Sequence, residues 1–334
     1  MTLPMNSTRR AALATGASLV AAALLPQSAH AQAAWPTKPI RMIVPFGPGA
    51  STDTVARFAA AKLSARLGQP IVVENKLGAG GIIGTSLVAS QPADGYTLLF
   101  QSSPYMTAPL LAAAAKKPSY DPVKDLQAVG MVGAGPFMIV VGNDVKANNL
   151  RELIELAKAK PGSISYGSAG VGTFNHLGGE LFALMANIKL LHVPYTGLGP
   201  AITDFLGGNT QMLVASLPAA LPHVRAGKMR ALAVTGAQRS ALMPDLPTMA
   251  EAGVPGYNLE AWWGLLAPPG LPAPILKRIN DELNTILTTS EARELLARDG
   301  ATPRPGSPED FANVIRTEVP RWRQVIQDAH IVSE

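Results

Sequence analysis

The chain has 334 residues, 47% of them hydrophobic and 15% charged, and 28 Lys and Arg against 23 Asp and Glu give a formal net charge of +5. It has no cysteine, which excludes disulfides, thiolate metal sites, a thiol nucleophile and a lipid anchor on cysteine. The positive charges are scattered rather than gathered in a stripe with aromatic residues, so we expect no nucleic-acid partner. A chain of this length favours two domains.

The N-terminus has the pattern of a secretory signal peptide. Arg9-Arg10 precedes an uncharged Ala- and Leu-rich run over residues 11–25, and Ala29-His30-Ala31 has small residues at the two positions that a signal peptidase reads. The run is too short for a permanent membrane span. Residues 1–31 are therefore predicted to be a signal peptide, cleaved after about Ala31 on either the Sec or the twin-arginine pathway, and the mature chain is expected to be exported.

The first strand, loop and helix have an anion-binding pattern. An apolar run over residues 40–44 is followed by the glycine loop Gly47-Pro48-Gly49-Ala50-Ser51-Thr52-Asp53 and by apolar residues at helical spacing as far as Leu67. Such a unit directs backbone N–H groups and the positive end of the helix dipole to one point. The phosphate-loop and G-x-G-x-x-G patterns are not met, which disfavours a nucleotide. Asp53 is expected to complement the dipole and brace the loop.

Further strands are predicted over residues 71–73 and 96–100, with a helix over residues 82–89 between them. This β-α-β-α-β order implies a parallel sheet with right-handed crossovers. Ligands of such sheets bind beyond the carboxyl ends of the strands. Residues 46–53 and Ser102-Ser103 fall at that edge.

A second unit repeats the pattern after a crossing between domains near residues 133–141. Its glycine loop is Gly167-Ser168-Ala169-Gly170-Val171-Gly172-Thr173, and residues 174–186 form its helix. Further strands are predicted over residues 190–193, 211–215 and 231–235. Two anion-type loops, one in each unit, suggest a clamp that closes on one ligand from both sides.

The C-terminal part is rich in proline and contains one predicted strand, residues 262–266, followed by helices that are expected to cover the first domain. These helices are predicted over residues 273–287, 291–298 and 311–329.

No catalytic or metal-binding pattern is found. The histidines lack metal-ligand spacing, so no metal and no cofactor are expected. Ser168 does not meet the nucleophile elbow G-x-S-x-G, because Tyr166 stands where the first glycine is required. A hydrolase using Ser168 and His176 is conceivable, but no acid that would orient the histidine is evident. We therefore expect a protein that is not an enzyme.

Motifs along the whole mature chain resemble those of the Bug-type periplasmic solute-binding receptors of tripartite tricarboxylate transporters. They run in the family's order from about residue 35 to the C-terminus. The main ones are Trp35-Pro36-Thr37-Lys38-Pro39-Ile40, Val44-Pro45-Phe46 to Asp53, Asp94-Gly95-Tyr96-Thr97-Leu98, the second glycine loop with His176-Leu177, His192-Val193-Pro194-Tyr195-Thr196-Gly197, residues 226–235, residues 247–253 and residues 262–268.

The resemblance implies an α/β, two-lobed type II periplasmic binding protein (Venus-flytrap) fold, each lobe being a mainly parallel sheet flanked by helices. Lobe 1 would comprise residues 36–135 and 237–334, and lobe 2 residues 136–236, with the ligand cleft between them. The implied function is a monomeric periplasmic receptor that captures an organic carboxylate, either a di- or tricarboxylate or an aromatic carboxylate. It would deliver this ligand to the membrane permease subunits of a tripartite transporter.

The residues predicted to bind the ligand come from both loops and their surroundings. They are Phe46, Gly49, Ala50, Ser51, Asp53, Ser102, Ser168, Gly170, Thr173 and Tyr195.

The chain departs from the family pattern at three places. Ala50 stands where a second glycine is usual, Thr210-Gln211 replaces a common Val-Asp, and Ala215-Ser216 stands where an acid is common. Loss of these acids disfavours ligands with an amino group and favours plain mono- or dicarboxylates, including aromatic ones. Two alternatives remain open at this point, an exported serine hydrolase and a ligand sensor that feeds a signalling partner.

Overall fold

Two parallel three-stranded units lie at the two ends of one sheet in the computed structural model, which describes residues 35–114 and 119–332. The first unit consists of β1 (Ile40–Val44), β2 (Ile71–Asn75) and β3 (Thr97–Ser102), and the second of β5 (Ser165–Ser168), β6 (Leu191–Pro194) and β7 (Met212–Ser216). β1 pairs in parallel with β2 and β3, and β5 with β6 and β7. Both predicted parallel units are thereby confirmed.

Antiparallel strands join the two units. They are β4 (Gln127–Val141), β8 (Arg230–Val234), β9 (Glu260–Ala267) and the short β10 (Thr302–Pro303). The strand order is β2-β1-β3-β9-β4-β7-β5-β6, and β8 and β10 also pair with β4. Among the named strands of the described residues, parallel pairing is confined to the two units. The strands between them need no helical crossover, because antiparallel neighbours can be reached by a simple reversal of the chain.

β4 runs as one strand through the region where the sequence indicated a crossing between domains, and it connects the two units. Residues 127–136 pair with β9, whereas residues 137–141 pair with β7. Gly133 and Gly135, which indicated a loop in the sequence, lie inside this strand because other elements approach it closely. A Cβ on Gly133 would come within 2.8 Å of Leu296 Cδ1, and one on Gly135 within 2.9 Å of Ala301 Cα. These glycines are packing positions rather than turn positions.

The helices flank the sheet. They are α1 (Ser51–Leu67), α2 (Ile82–Ala89), α3 (Pro104–Ala114), α4 (Leu150–Ala159), α5 (Phe174–Ala186), α6 (Leu198–Leu206), α7 (Leu217–Arg225), α8 (Ala273–Leu287), α9 (Ser290–Arg298) and α10 (Pro308–Asp328). α10 packs against β4 and against both α3 and α5, so it contacts both units of the sheet. Its Trp322 is fully buried, and the ring centroid lies 5.3 Å from that of Phe174. The predicted C-terminal helices thus cover more than the first domain.

Residues Lys38–Glu334 form one compact unit, within which residues 38–114 and 119–332 are described. The predicted signal peptide, residues 1–31, and its cleavage after Ala31 lie outside the described residues. Within the described ranges, no helix is both long enough and apolar enough to cross a bilayer.

The central strands tolerate no added side chain at Gly264 of β9. A Cβ at this position would overlap the ring of Phe311, which is only 1% exposed and packs edge-on against Trp262. We expect Gly264→Ala to lower the free energy of unfolding by about 2 kcal/mol, because a filled core has no room for the methyl group. Urea unfolding of the mature chain measures this.

Gly199→Ala in α6 is the matched control, because nothing lies within 4 Å of the added Cβ. It should leave the stability unchanged or raise it slightly, since alanine is the better helix former. Equal effects of the two substitutions would contradict the packing described for β9.

Candidate functional site

The first glycine loop leaves the N-terminus of α1 without a side-chain cap. The N-cap residue is Ala50, with φ −64° and ψ 157°, and it has no side-chain oxygen. Gly49 has φ +80°, a conformation that glycine adopts without strain. Its N–H donates to Asp53 Oδ2 at 2.9 Å. The first N–H groups of α1 are therefore available to an acceptor from outside the helix.

The buried carboxylate of Asp53 holds this loop in place through hydrogen bonds. It is 2% exposed, and besides the Gly49 N–H it accepts hydrogen bonds from Arg57 Nε at 2.9 Å and from Asn75 Nδ2 at 2.8 Å. Burial acts to raise the pKa of Asp53, but these hydrogen bonds outweigh it and hold the pKa below its usual value. The carboxylate is thus used within the loop, as expected for a bracing residue.

The other predicted residues of the first unit surround α1. Asn75 Nδ2 also donates to the carbonyl oxygen of Phe46 at 2.8 Å. Ser51 Oγ donates to Asp299 Oδ2 at 2.7 Å, and Thr52 Oγ1 lies 3.2 Å from Ser102 Oγ at the end of β3. Ser51 and Ser102 therefore lie at the carboxyl edge of the sheet, where the sequence predicted them.

The second glycine loop is closed by its own side chains. Thr173 is the N-cap of α5, and its hydroxyl donates to the carbonyl oxygen of Gly170 at 2.7 Å. Gly170 N–H donates to Ser168 Oγ at 3.1 Å. The polar groups of Ser168, Gly170 and Thr173 thus bond mainly to one another, unlike the uncapped first loop.

Two stacked histidines support the second loop. His176 Nδ1 accepts the Gly172 N–H at 3.0 Å, and His192 Nε2 lies 2.6 Å from Ser168 Oγ. The centroids of the two imidazole rings are 3.8 Å apart, and the angle between the ring planes is 12°. The sequence suggested His176 as the partner of Ser168, whereas the structure pairs Ser168 with His192. The reason is register, because His192 lies opposite Tyr166 on the neighbouring strand β6.

Burial keeps both rings neutral. It lowers the pKa of His176 to about 3, with a further contribution from His192, and it lowers the pKa of His192 to about 4. Glu180 Oε1 lies 3.8 Å from His176 Nε2 and accepts a hydrogen bond from Tyr166. Burial raises the pKa of Glu180, and the hydrogen bond from Tyr166 opposes this rise.

Tyr195 lies beside the second loop. Its N–H donates to the carbonyl oxygen of Ser168 at 3.1 Å, and its hydroxyl donates to Asp204. Burial together with this hydrogen bond raises the pKa of Tyr195 to about 12. Tyr195 is thus fixed against β5 and α6.

A cavity of about 470 Å³ lies where β4 changes partners from β9 to β7. Its walls come from strands β4, β7 and β9, from the N-termini of α1 and α7, and from Asp299. The lining residues are Ser51, Gly135, Pro136, Phe137, Ser216, Pro218, Ala219, Ala261, Trp263 and Asp299. Several are directly paired across strands, namely Phe137 with Ser216 and Gly135 with Ala261.

Ser51 alone among the ten predicted ligand-binding residues lines this cavity. The second loop is linked to it indirectly, because Phe174 at the start of α5 stacks on Phe137 with ring centroids 6.4 Å apart. Sequence reasoning missed Phe137, Trp263 and Asp299. These three residues lie far apart in the chain. The pairing of β4 with β9 brings the segments of Phe137 and Trp263 together.

Among the described residues, no group of three or more His, Asp or Glu side chains is arranged to hold a metal ion.

Comparison with known proteins identifies the family. Residues 55–331 match the family model described as TctC, tripartite tricarboxylate transporter family receptor. The chain belongs to this family. Protein BugT of Bordetella pertussis is 40% identical over 296 residues, covering 88% of this chain and 90% of BugT.

Two solved structures of relatives contain carboxylates. An R. palustris protein solved with adipate is 35% identical, with a TM-score of 0.72, covering 89% of this chain and 99% of that one. MatC from Rhodopseudomonas palustris with bound malate is 32% identical, with a TM-score of 0.67, covering 87% and 100%. The chain therefore has the α/β fold of the periplasmic binding proteins of this family, as the sequence motifs implied.

Removing the charge of Asp53 tests its role as a brace. We expect Asp53→Asn to lower the free energy of unfolding by about 2 kcal/mol, because an amide cannot accept all the hydrogen bonds that the carboxylate accepts here. Asp281→Asn is the control, since its pair with Lys277 is exposed and worth at most about 0.5 kcal/mol. Denaturant unfolding at pH 7 compares them, and equal stability of the two variants would contradict the bracing role.

The stacked histidines predict a loss of stability in mild acid. The unfolded chain protonates them near pH 6.5, whereas the folded chain does so only near pH 4 and below. Stability is therefore full above pH 6.5 and falls as the pH decreases, by up to about 1.4 kcal/mol per pH unit for each ring. The double variant His176→Gln, His192→Gln should show a flatter dependence between pH 7 and 5. Titration of the two folded-state rings by NMR with a pKa near 6.5 would contradict this account.

Proposed function

We propose that this chain is a periplasmic receptor that captures an organic carboxylate and delivers it to the membrane permease subunits of a tripartite transporter. The observation that carries the proposal is the cavity beside Ser51, the first residue of a helix whose N-cap, Ala50, provides no side-chain acceptor. Free N–H groups and the helix dipole favour an anion there. Family membership and the relatives with adipate and malate support the same ligand class.

The ligand would be held between two lobes that divide the sheet at β4. Lobe 1 would comprise residues 36–135 and the C-terminal helices, and lobe 2 residues 136–236. The segment before β9 is best assigned to lobe 2, because Leu259 N–H donates to Thr235 O and Tyr257 Oη donates to Gly178 O. Hinge motion at β4 and β9 would bring the second loop to the ligand, so we retain Ser168, Gly170, Thr173 and Tyr195 as candidate ligand contacts.

Export follows from the signal pattern at residues 1–31, and a monomer would suffice because one chain supplies both lobes. A sensor that passes its liganded form to a signalling protein would need the same cleft. Capture of the liganded chain by permease subunits, compared with capture by a signalling protein, separates the two roles.

A serine hydrolase is the second candidate, and it is favoured only by the 2.6 Å contact of Ser168 Oγ with His192 Nε2. His192 is stacked on the neutral His176, and Ser168 Oγ also accepts the Gly170 N–H. Both contacts suit a fixed loop better than a reacting nucleophile. Ester turnover that disappears in Ser168→Ala would establish the hydrolase.

A carboxylate placed at the N-cap of α1 should compete with the ligand. Ala50 is exposed and already has the backbone conformation of an N-cap, so Ala50→Asp should cap the helix and raise the stability by up to about 1 kcal/mol. The same carboxylate would occupy the N–H groups that the ligand needs, so the affinity should fall at least about tenfold. Calorimetry with the carboxylate that most stabilises the refolded, ligand-free wild type measures this.

Ala50→Gly is the matched control, because it adds no acceptor and should keep the affinity within about threefold, or roughly 0.7 kcal/mol. Unchanged affinity in Ala50→Asp would exclude the N-terminus of α1 as the anion site. If no carboxylate stabilises the wild type by mass action, the receptor proposal itself fails.

A further inference from the structure

The cavity at β4 has an unusual wall for a protein that binds anions. Most of its lining residues are apolar, with Phe137 and Trp263 as the largest side chains and with prolines and alanines among the rest. Ser51 and Ser216 supply the hydroxyl groups. Among the described residues that line it, there is no lysine, arginine or histidine, so the groups in the wall that favour an anion are the helix N-termini.

The single charged side chain in the wall is Asp299, which is held in place by the hydroxyl of Ser51 at 2.7 Å. This acid therefore lies directly beside the proposed anion site at the start of α1. Its charge opposes any ligand carboxylate in the cavity, and the free N–H groups of α1 can offset this for one carboxylate. A second carboxylate would meet apolar rings or the same like charge without such compensation.

Arg304 cannot neutralise a second carboxylate, because it lies on the other face of β9. Ala261 and Trp263 of β9 face the cavity, whereas the alternate residues Glu260 and Trp262 line a separate cavity of about 330 Å³ with Arg304. Arg304 is paired there with Glu260 at 2.8 Å. Alternation along a strand thus separates this cation from the ligand.

We propose that the ligand is a monocarboxylate with an uncharged, apolar body, and that Asp299 excludes dicarboxylates. The inference rests on the proposed function, since it concerns the same cavity. It differs from what the relatives with adipate and malate would suggest, because the wall residues rather than the family decide the far end of the ligand. The body would lie against Phe137 and Trp263.

Two matched pairs of acids test this by calorimetry on the mature chain freed of ligand by unfolding and refolding. Hexanoate and adipate differ only in that a terminal methyl group is replaced by a second carboxylate, and so do 4-ethylphenylacetate and 1,4-phenylenediacetate. In at least one pair, the monoacid should bind at least about tenfold more tightly than the diacid. Tighter or equal binding of the diacid in both pairs, or no binding of any of the four acids, overturns the inference.

Asp299→Asn tests the exclusion directly, because the amide oxygen can still accept the Ser51 hydroxyl while the charge is lost. The preference for the monoacid should shrink at least about fivefold, chiefly through tighter binding of the diacid. Asp281→Asn, far from the cavity wall on α8, should leave the preference unchanged. An unchanged preference in Asp299→Asn overturns the role of this residue.

The two proposals fail in different ways. If other carboxylates in a wider thermal screen bind but the matched pairs show no preference for the monoacid, the receptor function stands and the inference falls. If no carboxylate of any kind binds, the receptor function fails as well.

Discussion

The backbone hydrogen bonds of β4 are the constraint on which the rest of the molecule depends. One strand pairs with β9, the neighbour of β3, over residues 127–136 and with β7 over residues 137–141, so it connects the two parallel units. A cavity lies at this point, where β9 begins at Glu260 and β7 ends at Ser216. The strand that connects the two units therefore also lines the cavity.

The two glycine loops look alike in the sequence but differ physically. Each follows a parallel strand and precedes a helix, so pattern alone assigns both to anion binding. The first is braced by a buried carboxylate, Asp53, and leaves its helix uncapped at Ala50. The second is capped by Thr173 and held by His176 and His192. In the second loop, N–H and hydroxyl donors are already bonded within the loop, so a ligand can use them only after those hydrogen bonds break.

The sequence predicted what depends on local periodicity and failed where long-range packing overrides it. The parallel units were predictable, because each strand is a buried apolar run followed by a helical pattern. The length of β4 was not, since Gly133, Gly135 and Pro136 are usual turn residues and close packing of Leu296 and Ala301 was invisible.

The helix α3 was missed for a similar reason. Pro104 and Pro109 argue against a helix, although a proline is tolerated in the first turn. In the candidate site, Ser51 was predicted from its loop. Asp299 and Trp263 could not be predicted from the sequence. They lie more than two hundred positions from Ser51 and come near it only in the tertiary fold.

The residues that form the cavity wall depend on the register in which β4 and β9 pair. Opposite residues of β4 and β9 share a face, and a shift of one residue moves every side chain to the other face. The pairing shifts by one residue between Ala128 and Gly130 and again between Met131 and Gly133. Two shifts of one residue restore the alternation, so Gly135 meets Ala261 on the cavity side and Pro136 meets Glu260. With a single shift, the face that carries Glu260 and Trp262 would meet Phe137 instead. The apolar lining and the placement of the Arg304–Glu260 pair behind it are therefore consequences of two compensating irregularities in one strand.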